Sequence, residues 1–224
     1  MLTREFLKEG KLQELVRAGD PSIHVLTDDE LAASRRAVLN DLPAGQDVWV
    51  FAYGSLIWNP AFHFAESCLG TIYGYHRSFC LWVYLGRGTR ENPGLMLGLR
   101  PGGATRGLVY RVAPDAIEEE LTIIWRREMV TAAYVPRWVK VRTERGIVDA
   151  IAFVIDLQHE RHADGLETDR IAEILAHARG KIGSSADYLF STVDHLHTLG
   201  IQDRNLTYLA DRVRAKKQNS ADQG

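Results

Sequence analysis

Cysteine is scarce in this chain. Cys68 and Cys80 are the only two thiols in 224 residues. That is too few for a disulfide framework. Both sit in apolar runs, which suggests buried free thiols in a reducing compartment. Long hydrophobic runs are lacking as well, and none approaches the ~20 residues a membrane-spanning helix needs. Neither sign of charge dominates: 27 Lys and Arg stand against 29 Asp and Glu, a net charge of −2, with a pI of about 6.4. There is no basic stripe of the kind nucleic acid requires and no acidic block of the kind found in disordered tails. Met1 to Gly10 is charged and has no continuous apolar stretch, so no signal peptide is expected. These absences predict a cytoplasmic protein without a nucleic-acid or membrane partner.

What is present is ordinary globular material, 46% hydrophobic and 25% charged. A chain of this length buries a substantial core unaided. A single domain is expected, with N-terminal helices over 1–45, a β-rich core over 46–156, helices over 157–215 and a flexible polar tail over 216–224. Leu2, Phe6, Leu12 and Leu15 suggest a first, weakly amphipathic helix. Thr27 and Glu30 form a capping box before Leu31 to Leu39, and Asp41, Pro43 and Gly45 end that helix. Val48 to Ala52 is nearly all apolar, as in a strand buried on both faces. Short β-prone runs follow at 68–75, 79–85, 95–99 and 108–112, punctuated by Gly, Pro and Asn in the manner of an antiparallel meander. Pro114 suits a first helical position. Tyr134 to Val141 and Ile147 to Ile155 read as strands joined by a hairpin at Glu144-Arg145-Gly146. Helices are expected over 169–179, from Ser184 or Ser185 to His197, and from an Asp203 cap to Arg214. The class is α+β: a small, mixed or antiparallel, barrel-like sheet flanked by helices at both termini.

Glu128 stands out. After Pro114, the apolar positions Ile117, Leu121, Ile124 and Trp125 mark one helical stripe. At about 100° per residue, Glu128 returns to within roughly 20° of Ile117. A carboxylate on an inward face costs free energy unless it is paired or neutralised. By the same wheel, Glu118, Glu119, Arg126 and Arg127 point to solvent. Periodicity alone leaves three readings of Glu128 open: an ion pair with Arg137 or Arg142, escape at a frayed helix end, or an acid–base role.

A second feature is Phe51 to Pro60, where the apolar strand stops at Gly54-Ser55. A positive φ at Gly54 would aim successive N–H groups into one concavity, a nest for anionic groups. The competing reading is a plain strand-ending turn. Ser55 lacks the surroundings of a nucleophilic serine. His195 and His197 diverge by about 200° on a helix, and His159 and His162 lie in a polar loop, so no metal site is expected. The segment Gly86 to Gly94 matches no nucleotide-binding motif. It reads as a mobile hairpin loop or as a lid.

In order and spacing, several segments together resemble the ChaC-like γ-glutamylcyclotransferase family. They are Tyr53-Gly54-Ser55-Leu56-Ile57-Trp58, Asn92-Pro93-Gly94-Leu95 and Trp125-Arg126-Arg127-Glu128-Met129 with Tyr134. Tyr188-Leu189, Thr192-Val193, His195-Leu196 and Leu199-Gly200-Ile201 with Asp203 complete the set. The likeness runs from Leu2 to Val213. It implies a small mixed β-barrel and a substrate-binding loop of Tyr53, Gly54, Ser55, Leu56, Ile57 and Trp58, with Tyr134 at the same site. It also implies that Glu128 is the catalytic carboxylate and that no metal, nucleotide or redox cofactor takes part. The implied reaction cleaves glutathione, or a related γ-glutamyl peptide, into 5-oxoproline and Cys-Gly. Three alternatives stand beside it: another γ-glutamyl amine as substrate, a non-catalytic module linked to cation transport, and a γ-glutamyl hydrolase. Arg90, Ser185, Asp187 and Val83 depart from the family pattern.

Overall fold

The computed structural model describes residues 2–40, 42–43 and 45–221. The chain divides into two compact units. One runs up to Arg77 and resumes from Leu99 to His159; the other comprises Ser78–Gly98 and the chain from Glu160 onward.

The first unit opens with helices α1 (Arg4–Lys8), α2 (Lys11–Gly19) and α3 (Asp28–Leu39). Thr27 caps α3 with both halves of the capping box in place. The expected stop at Asp41 lies outside the described residues. Strand β1 (Val48–Ala52) is nearly all buried, as its apolar run requires. The four short β-prone runs form two long strands instead, β2 (Glu66–Val83) and β3 (Gly94–Val112). The glycines bend these strands without ending them. Gly74 has φ +86° and Gly102 φ +101°, values that a residue without Cβ adopts freely. Pro114–Ala116 form a 3-10 turn that leads into helix α4 (Ile117–Glu128). Strands β4 (Tyr134–Thr143) and β5 (Gly146–Ile155) make the expected hairpin, with Thr143 opposite Gly146.

The strands close into a barrel in the order β1-β3-β2-β4-β5. A meander would pair neighbours in sequence. Here β1 pairs antiparallel with β3, β2 pairs with β4, and β1 meets β5 in parallel at Trp49–Ala150 and Val50–Ile151. Closure removes the edges of this sheet. Val50, Ile72, Leu99, Val109, Ile151 and Phe153 on these strands are all at most 1% exposed. Cys68 on β2 is only half-buried, whereas Cys80 is buried, and the two are not joined in a disulfide.

In the second unit, α5 (Thr168–His177) is followed by a small ribbon of β6 (Arg179–Gly180) and β7 (Gly183–Ser184). Helix α6 (Ser185–Thr198) starts at Ser184, whose cap is reciprocated by Asp187. Asp203 caps α7 (Arg204–Ala221) by accepting from the Leu206 N–H at 3.1 Å. The helix continues past Arg214, where the sequence suggested a tail. Lys216 bonds both Asp169 and Glu173 of α5, which ties down that turn. The glycine-rich segment is anchored rather than loose. The Gly86 carbonyl accepts from Ile182 N–H at 2.8 Å, Arg87 donates to the Ser184 carbonyl at 2.9 Å, and the Asn92 amide reaches the His177 carbonyl. Two departures from the family pattern have work of their own here. The fully buried Ser185 donates to the Arg87 carbonyl at 3.0 Å, and Asp187 completes the α6 cap.

Candidate active site

The site begins where β1 leaves the barrel. Beyond Ala52 the chain passes through Tyr53 and Gly54 into a 3-10 turn, Ser55–Ile57. Gly54 has φ −132° and ψ −132°, so the left-handed turn expected there is not used. The bend is made by the turn itself, closed from Ile57 N–H to the Gly54 carbonyl at 2.9 Å and from Asn59 N–H to Ser55 at 3.0 Å. Buried side chains hold this backbone. Tyr110 of β3 donates to the carbonyls of Leu56 and Ile57 at 3.1 and 3.2 Å, and burial pushes its own pKa up to about 12. Arg77 of β2 donates to the Tyr53 carbonyl at 2.6 Å. The Tyr53 hydroxyl donates to the Phe153 carbonyl of β5 at 2.8 Å. Leu56 and Ile57 are buried, while Ser55 and Trp58 stay half-exposed.

Glu128 is the last residue of α4. The helix is fixed to the barrel one turn earlier: Trp125 packs edge-on against Phe153, with ring centroids 5.2 Å apart. Phe153 therefore meets both elements, through its ring on α4 and its carbonyl on Tyr53. Leu121, Ile124 and Trp125 are buried, as the stripe predicts. The Glu128 side chain is 15% exposed. Burial raises its pKa above the ordinary 4.5, and the Arg127 guanidinium partly opposes this. The carbonyl-rich end of a helix also disfavours an anion.

The partner of Glu128 is Arg127, not Arg137 or Arg142. Nε of Arg127 lies 3.1 Å from Glu128 Oε1. The same guanidinium donates from Nη2 to Ser55 Oγ at 2.9 Å. Its Nη1 donates to the carbonyl of Asn59, and to that of Pro60 at 3.4 Å. The wheel had turned Arg127 toward solvent, yet its side chain is only 5% exposed. A second buried row, Glu120, Ile123 and Arg127, runs beside the first, because α1 and the turn after β1 cover that side. The carboxyl and the Tyr-Gly-Ser bend thus stand on either side of one guanidinium.

A model of the ChaC-like protein family matches residues 48–216. This chain belongs to the ChaC-like family. Curated relatives agree. A glutathione-specific γ-glutamylcyclotransferase of Escherichia coli (strain K12) is 41% identical, over 96% of this chain and 93% of its own length. A glutathione-specific γ-glutamylcyclotransferase 1 of Rattus norvegicus is 30% identical, over 75% and 79%. The crystal structure of a γ-glutamyl cyclotransferase specific to glutathione, from yeast, superposes with a TM-score of 0.70. It has 22% identity and covers 75% of this chain and 96% of that one. That likeness speaks for the ChaC-like fold.

Of the residues read from sequence, Tyr53, Gly54, Ser55 and Glu128 come together through Tyr110, Arg77 and Arg127. Tyr134 is buried at the start of β4, opposite Ile155, two residues along β5 from the carbonyl that Tyr53 reaches. Sequence reasoning missed Arg77, Tyr110 and Arg127. Arg77 fell between the runs 68–75 and 79–85, in a stretch read as a break that is in fact part of β2. Among the described residues, no group of three or more His, Cys, Asp or Glu is placed to hold a metal ion. No described helix is long and apolar enough to cross a membrane.

Proposed function

We propose that this chain is a glutathione-specific γ-glutamylcyclotransferase, with Glu128 as its acid–base group and the Tyr53–Trp58 segment as its substrate loop. The observation that carries the reading is a partly buried carboxyl, its pKa raised, tied through Arg127 to Ser55. The E. coli relative, named for this activity and similar over nearly the whole chain, supports the choice of substrate.

The reaction is an intramolecular aminolysis. The α-amino nitrogen of the γ-glutamyl group attacks its own side-chain amide carbon. A C–N bond forms to close a five-membered lactam, the old amide C–N bond breaks, and Cys-Gly leaves. No water is consumed. The attacking ammonium gives up two protons and the departing nitrogen gains two, so one carboxylate can pass them across. A raised pKa makes Glu128 a better acceptor near neutrality. Both reacting groups belong to one molecule, so the gain lies in holding it folded for attack. Donors of the loop, backbone N–H and Ser55 hydroxyl, would carry the substrate carboxylate or the developing oxyanion, at about 3 kcal/mol per well-placed donor. A cytoplasmic setting suits a thiol substrate and two cysteines that form no disulfide.

Incubation with glutathione and mass analysis of the products tests this. The expected products are Cys-Gly and a lactam lighter than glutamate by one water. Free glutamate would make the protein a hydrolase instead. A panel of γ-glutamyl amines and dipeptides in the same assay measures substrate preference.

A further inference from the structure

Residues adjacent on a helix point about 100° apart and do not normally face each other. Arg127 and Glu128 nevertheless meet at 3.1 Å. The geometry explains why. The Arg127 guanidinium is drawn toward the turn after β1, where it meets three acceptors: Ser55 Oγ and the carbonyls of Asn59 and Pro60. Its remaining nitrogen, Nε, then faces back along the helix end, and the Glu128 carboxyl closes onto it. All three guanidinium nitrogens are used, each on a different group. A planar fork does this and a point-charge ammonium does not. Because Ser55 Oγ accepts from Nη2, its own proton is turned away from the guanidinium.

We propose that Arg127 is a positioning residue, whose buried guanidinium fixes the Glu128 carboxyl at a set distance and angle from the Ser55–Pro60 turn. The proposal rests on Glu128 being the acid–base group. Among the described residues no other side chain is ion-paired or hydrogen-bonded to the Glu128 carboxyl, so removing Arg127 leaves it untethered. The Tyr110 hydroxyl from β3, which feels the charge of Arg127, is bound to the Leu56 and Ile57 carbonyls and stays protonated through neutral pH. A guanidinium that only satisfied the carbonyls of the turn would influence stability. One that positions the carboxyl also governs its titration and the turnover.

Two variants separate these roles. Arg127→Gln removes charge and fork; Arg127→Lys keeps the charge and removes the fork. In Arg127→Gln, the carbon-13 NMR titration midpoint of the Glu128 carboxyl is expected to rise by roughly one pH unit, as loss of an adjacent opposite charge requires. The acid limb of kcat/KM should move with it. In Arg127→Lys the limb stays near its wild-type position. In both, kcat falls by roughly ten- to a hundredfold from lost alignment, with a smaller change in KM. A folded Arg127→Gln with wild-type kcat and an unmoved midpoint overturns the proposal. If that variant does not fold, Arg127→Lys decides the matter alone, and unchanged kcat there overturns it. Failure of the functional reading looks different: Glu128→Gln would then turn over normally or the wild type would release no lactam. If positioning alone fails, Glu128→Gln stays inactive while the Arg127 variants stay active.

Discussion

A carboxyl at the C-terminal end of a helix meets the negative end of the helix dipole, and here it is also largely withdrawn from water. Both effects favour the protonated form of Glu128, and the neighbouring guanidinium restrains them. The sign for stability follows. With its folded-state pKa raised above 4.5, Glu128 contributes most below its unfolded value, and the contribution is lost as pH rises through its folded value. The activity of a general base moves the other way and rises over that window. Glu128→Gln should therefore keep the fold and flatten the fall of Tm with pH above 4.5, as scanning calorimetry across a pH series would reveal. Its turnover should drop by about 10²–10⁴-fold. Full activity in this variant would remove the assignment.

The element that matters most is α4, because it carries the carboxyl and because helices and barrel converge on it. Trp125 fixes it to β5, and its indole N–H reaches Ser34 of α3 at 3.3 Å. Glu120 does the same on the other side. With its side chain 3% exposed, it pairs with Arg4 of α1 and accepts from the His63 N–H at 2.8 Å. Removing one member of such a pair strands the other charge. Glu120→Ala should cost about 3–5 kcal/mol of stability by urea or thermal unfolding. An exposed acid on the same helix, Glu119, is 51% exposed, and Glu119→Ala should cost roughly 1 kcal/mol or less. Equal losses in the two variants would mean that the α1–α4 clamp does not hold the helix.

At the scale of the molecule, the near balance of charge sets colloidal behaviour and says little of the fold. With pI about 6.4, solubility should pass through a minimum near that pH and recover on either side, as turbidity across a pH series would show. The unit boundary falls within β2, between Arg77 and Ser78.

Much of this protein is written in local patterns. The caps at Thr27 and Ser184, the β4–β5 hairpin and the inward stripe of α4 all follow from periods and offsets spanning a few residues, which the chain obeys before any distant contact forms. Glu128 was legible for that reason: an acid on an apolar stripe breaks a local rule. The order and spacing of motifs showed the family in the same way. What local patterns do not contain is which strand meets which, or which side of a helix a remote segment covers. Only the tertiary structure decided that Gly74 and Gly102 bend long strands instead of ending short ones, because continued pairing across the barrel outweighs a local break. It also turned Arg127 inward, because the carbonyls of Asn59 and Pro60 and the hydroxyl of Ser55 stand in its path, 67 to 72 residues away in the chain. A wheel drawn on α4 alone has no knowledge of acceptors that distant.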